Sequence, residues 1–91
     1  MNNGDMVWIY PRGTPEQAVE ASIDLISSNG ISIALRLRDE PSWFRIRNGL
    51  LLHDAGGIEM LLMRESIGGV PNGPWRNILD DGRYEIREVK A

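Results

Sequence analysis

Ninety-one residues with 42% apolar and 25% charged side chains describe a single globular domain, 1–91, rather than a disordered chain. The chain has no cysteine, which excludes disulfides, thiolate metal sites and a cysteine nucleophile, and fits a reducing cytoplasm. A formal charge of −3 argues against non-specific nucleic-acid binding, and no stretch reaches the ~18 consecutive apolar residues needed to span a bilayer.

The N-terminal Met1-Asn2-Asn3-Gly4-Asp5 lacks the basic-then-apolar layout of a secretion signal. Met6-Val7-Trp8-Ile9-Tyr10 is a β-prone apolar run closed by Pro11-Arg12-Gly13, which reads as a buried strand. Thr14-Pro15-Glu16-Gln17 then supplies an N-cap threonine, a proline at the first helical position, an acid in the first turn and a glutamine at the third. With Val19, Ser22, Ile23 and Ile26 at three-to-four spacing and Asn29-Gly30 as terminator, this pattern predicts a helix over 15–28.

Residues 31–38 alternate, with Ile31, Ile33, Leu35 and Leu37 on one face and Ser32, Ala34, Arg36 and Arg38 on the other, so they read as a half-buried strand. Asp39-Glu40-Pro41-Ser42 is a turn, residues 43–47 alternate again, and Asn48-Gly49 is a strong hairpin signal. Strands are predicted to return over 50–53, 58–64 and 83–89. Residues 65–77, rich in glycine and proline, read as a long surface loop that is functional or mobile and pinned by Trp75. The order predicts an α+β fold: one helix in the N-terminal half packed on a mostly antiparallel sheet of five to six strands. A strongly curved or barrel-like sheet is its variant.

The only histidine, His53, lies in His53-Asp54-Ala55-Gly56-Gly57. Adjacent side chains on an extended chain point to opposite faces, so His53 and Asp54 are poorly placed to share a proton. Aspartate nucleates a turn and glycine accepts positive φ, so the stretch reads as the place where a strand reverses. The serines lie in no nucleophile-elbow context, and metal ligands are too few. No catalytic residue, metal or cofactor is therefore expected.

Arg45-Ile46-Arg47, followed by Asp54-Ala55-Gly56-Gly57-Ile58, is faintly similar to the PilZ domains, which bind cyclic di-GMP. That family carries two arginines four apart and Asp/Asn-x-Ser-x-x-Gly. Here the arginine spacing, the serine and the glycine position all depart, so no membership is assigned.

Pairing 31–38 with 43–47 across the 39–42 turn would set Leu37 against Phe44 and Leu35 against Ile46 in the core. The opposite face would then carry Arg36, Arg38, Trp43, Arg45 and Arg47, joined by Leu50, Leu52, Glu59 and Leu61. Opposed arginines repel, so either Glu59, Glu85 or Glu88 pairs with them or an external acidic partner does. Tryptophan and arginine are enriched at binding hot spots. The sequence thus predicts a small, non-enzymatic cytoplasmic binding protein that occupies a protein partner's surface as an inhibitor, adaptor or immunity-type antagonist would. Those five residues form its predicted site, with Trp75 as a further loop contact. The alternative is a sensor that binds a phosphate ligand or nucleic acid on the same arginines.

Overall fold

The computed structural model describes residues 1–44, 52–54, 57–78 and 82–89. Its strands are β1 (Met6–Pro11), β2 (Val19–Ile26), β3 (Ser32–Leu37), β4 (Leu52–Asp54), β5 (Gly57–Ile67), β6 (Val70–Asn77) and β7 (Arg83–Glu88). Every pairing is antiparallel. Because β7 returns to β1 and β3 pairs with β5, the six strands β1, β2, β3, β5, β6 and β7 close a barrel, each flanked on both sides. The short β4 lies along the start of β5, on the edge that β6 takes further along.

The α+β expectation is overturned, because the chain is an antiparallel barrel. Helical geometry in the predicted 15–28 segment is confined to a 3-10 turn at Pro15–Gln17, after which Ala18 is already extended at φ −62° and ψ 140°. The Thr14 side chain makes no cap bond; its hydroxyl donates to the Pro11 carbonyl at 2.8 Å instead. Val19, Ala21 and Ile23 alternate with Glu20, Ser22 and Asp24, so period two and the helical spacing coexist in the same residues. As a strand the segment bonds β1 on one side and β3 on the other. That ladder outweighs a capping signal, which is worth ~1 kcal/mol.

Alternation sets the core. Val7, Ile9, Ala21, Ile23, Ile33, Leu35, Leu37, Ile58, Met60 and Leu62 fill the interior with Phe44, Trp75 and Tyr84. Each fully buried aliphatic side chain contributes roughly 1.5–3 kcal/mol. Of the predicted inward set Ile33, Leu35 and Leu37 are in the core, whereas Ile31 precedes the strand and is half-buried, and Ala34 on the other face is itself covered; the predicted partner differs. Leu35 stands opposite Ile23 and Met60, and Leu37 opposite Ala21 and Ile58, so β2 and β5 take the two edges of β3. Alternation fixes which face a residue takes, not which strand it meets. Ser42 and Trp43 lie in a turn in which the Phe44 amide donates to the Pro41 carbonyl at 3.0 Å. The predicted Asn48-Gly49 hairpin and most of the 43–47 strand lie outside the described residues.

The predicted 65–77 loop is instead the hairpin of β5 and β6. Ile67 pairs with Val70 across Gly68-Gly69, both at positive φ (57° and 82°), as a two-residue type I′ turn requires. Farther back, β5 runs from Met63 to Glu65 while β6 runs from Arg76 to Asn72. This irregularity absorbs Gly73 and Pro74 and leaves Arg64 facing Trp75. The reversal predicted after His53 is present: His53 pairs with Ile58 and Asp54 with Gly57, while residues 55 and 56 lie outside the described set. No helix among the described residues is long and apolar enough to cross a membrane.

Candidate functional site

The outer wall of β2, β3 and β5 is built by the residues that alternation turns away from the core. On β3 these are Ser32, Ala34 and Arg36, with Arg38 just past the strand; on β5 they are Glu59, Leu61 and Met63. On β2 a bulge intervenes. Ile23 pairs with Leu35 but Leu25 pairs with Ala34, so Asp24 is the extra residue and both Asp24 and Leu25 face outward.

That bulge creates two adjoining features. Asp24 reaches Arg36, whose Nε donates to Oδ2 at 3.1 Å, while Nη2 of Arg36 donates to Glu59 Oε2 at 3.1 Å. The three side chains are each about a quarter to a third exposed, so this pairing is partly screened. Leu25 falls beside Ala34, which pairs with Leu61, and the Ile78 amide donates to the Leu61 carbonyl at 3.3 Å. Leu25, Ala34, Leu61 and Ile78 therefore form an apolar row across four neighbouring segments, and Met63 flanks it on β5. Leu25 is 60% exposed, Ile78 46%, Met63 45% and Leu61 42%. Between them lies a mostly apolar groove of about 260 Å³ that also reaches Ser27 and Ser32. An exposed apolar patch rimmed by polar residues is the kind of surface that marks an interaction site.

The predicted site residues separate. Arg36 and Arg38 share this wall, and both line a second groove of about 500 Å³ with Glu20, Asp39 and Glu40. Trp43 is elsewhere: its Nε1 donates to the Gln17 carbonyl at 2.9 Å, and its ring lies 5.4 Å from that of Tyr84, against the core. Trp75, expected as a loop contact, is buried in the barrel. Arg45 and Arg47 lie outside the described residues. Of the three glutamates foreseen as internal partners, Glu59 pairs with Arg36, Glu85 pairs with Arg12, and Glu88 meets the N-terminal ammonium.

Leu61 was visible in the sequence as a member of the Arg36 face, whereas Leu25, Met63 and Ile78 were missed. The alternation of 19–24 was the available signal, because a strand there brings Leu25 near Ala34. Compared with protein-family models, curated proteins and solved structures, the chain matches none.

Proposed function

We propose that this is a small non-catalytic binding protein that occupies a protein partner's surface, as an inhibitor, adaptor or antagonist, through the outer wall of β2, β3 and β5. The observation that carries the reading is the apolar row Leu25-Ala34-Leu61-Ile78, with its groove bordered by the Asp24–Arg36–Glu59 pairs. An apolar centre with a charged rim is the usual anatomy of a protein interface. The partner inserts an apolar side chain into the groove. It sets an acidic group near Arg38, which is exposed and forms no ion pair among the described residues. A cytoplasmic setting suits a chain without cysteine. Phosphate binding by the same arginines gains no support from Arg36, whose guanidinium already meets two carboxylates.

Photo-cross-linking in extract of the source cells tests the reading. A photoreactive residue at position 61 should yield a discrete adduct with one protein, and the same residue at exposed position 67 should not. Identical adducts from both positions, or none from position 61, would count against it.

A further inference from the structure

A third groove lies where β1, β7 and the irregular part of the β5–β6 pair meet. It holds about 410 Å³ and is lined by Arg12, Arg64 and Arg87, with Glu85 the one carboxylate among its lining residues. Three guanidiniums against one carboxylate leave a local positive excess in a chain whose formal charge is −3.

Glu85 is already engaged. Its Oε2 accepts from the Tyr10 hydroxyl at 3.0 Å, and its Oε1 faces the Arg12 Nε at 3.8 Å. Arg64 and Arg87 form no ion pair among the described residues. Arg64 is held by its Nε, which donates to the Gly30 carbonyl at 3.1 Å, and by stacking of its guanidinium 4.4 Å above the Trp75 ring. Arg87 lies over the Tyr10 ring at 5.6 Å. Both cations are thus positioned by a neutral ring, which fixes the guanidinium without neutralising it. An arginine carries five N–H donors, and Arg64 has committed one of them to Gly30.

We propose that this groove binds a small phosphorylated ligand, held by Arg12, Arg64 and Arg87 through charge-assisted hydrogen bonds. Its volume lies within the usual range of ~300–1,000 Å³ for small-molecule sites. The rings argue for a small ligand rather than a single-stranded nucleic acid. The three rings that line the groove, Tyr10, Trp75 and Tyr84, are all buried, and cations cover two of them, so none of the three offers a face on which a base could stack; the exposed Trp8, opposite Arg87, lies outside the lining. Recognition rests on charge. The site shares no lining residue with the apolar groove and goes beyond the protein-binding reading.

Calorimetric titration with inorganic pyrophosphate tests the proposal. One saturable site is expected, weakening about tenfold or more in Arg87→Gln and in Arg12→Gln, both exposed positions, and unchanged in Arg38→Gln on the other wall. Arg64→Gln should also weaken binding; because Arg64 packs on Trp75 within the β5–β6 irregularity, the two exposed variants decide. Absence of saturable binding, equal affinity in Arg87→Gln, or an equal loss in Arg38→Gln would overturn the proposal. So would tighter binding of a short single-stranded oligonucleotide than of pyrophosphate, because that occupant needs stacking faces this groove lacks.

Discussion

Arg36 of β3 stands directly opposite Glu59 of β5, with 3.1 Å between Nη2 and Oε2, while its Nε holds Asp24 of β2. One guanidinium thereby ties three adjacent strands of the barrel wall. It also borders the apolar row that follows along the same face.

Replacing Arg36 with glutamine leaves Asp24 and Glu59 on one wall without the cation between them. Partial exposure limits the effect to about 0.5–1 kcal/mol. The melting temperature should fall by a few degrees in a domain of this size. Had the arginine lacked internal partners, the same substitution would hold or raise stability. Adding Glu59→Gln to Arg36→Gln should cost less than the two single changes summed, which a double-mutant cycle by denaturant unfolding measures.

Gly57 opens β5 at φ +113°, and a Cβ built there would overlap the Leu37 carbonyl oxygen across the β3–β5 seam. The obstacle is backbone, so no side chain can swing aside. Gly57→Ala should cost about 2–5 kcal/mol through backbone strain and overlap together. Chemical denaturation measures the loss, and a variant as stable as wild type would mean the strands do not meet there.

Trp43 packs on Tyr84 and Phe44 and donates to the Gln17 carbonyl. Trp43→Ala should therefore destabilise the barrel by about 2–3 kcal/mol. Trp43→Phe keeps the ring contact and loses the hydrogen bond, at a cost of ~1 kcal/mol. Thermal melts of the pair separate packing from hydrogen bonding.

Much of this organisation was legible in the residues, and the failures share a cause. The strands over Met6-Val7-Trp8-Ile9-Tyr10 and within 31–38 and the reversal after His53 all declare themselves locally and are present, although Met6 and Trp8 of the strand expected to be buried are exposed. Val19 and Ile23 satisfy helix and strand periods alike, Ile26 fits a strand only once the bulge at Asp24 shifts the alternation by one, and the decision came from β1 and β3, which are distant in sequence. Glycine and proline made 65–77 read as a loop because composition does not distinguish a type I′ turn and a strand irregularity from irregular chain. The bulge at Asp24 shows in the sequence only as the odd spacing of Ile23 and Ile26, and it is what turns Leu25 outward to complete the apolar row.

Burial and the Glu85 carboxylate raise the Tyr10 hydroxyl above its ordinary value of 10.0, although Arg87 opposes them. The folded state then holds this proton more tightly than the unfolded chain does. The contribution to stability is complete below pH 10 and is lost as pH rises through the folded-state value. Tyr10→Phe should show a shallower loss of stability above pH 10 than wild type, measured by urea unfolding at a series of pH values.

The most direct test of the central claim is the affinity for the partner cross-linked from position 61, measured by titration calorimetry for Leu61→Glu and Ile67→Glu beside wild type. Both positions are exposed, so both variants should fold. The wall reading predicts that Leu61→Glu loses about 2 kcal/mol or more, roughly thirtyfold in Kd, while Ile67→Glu binds as wild type does. Wild-type affinity in a folded Leu61→Glu protein, or an equal loss in Ile67→Glu, would contradict it.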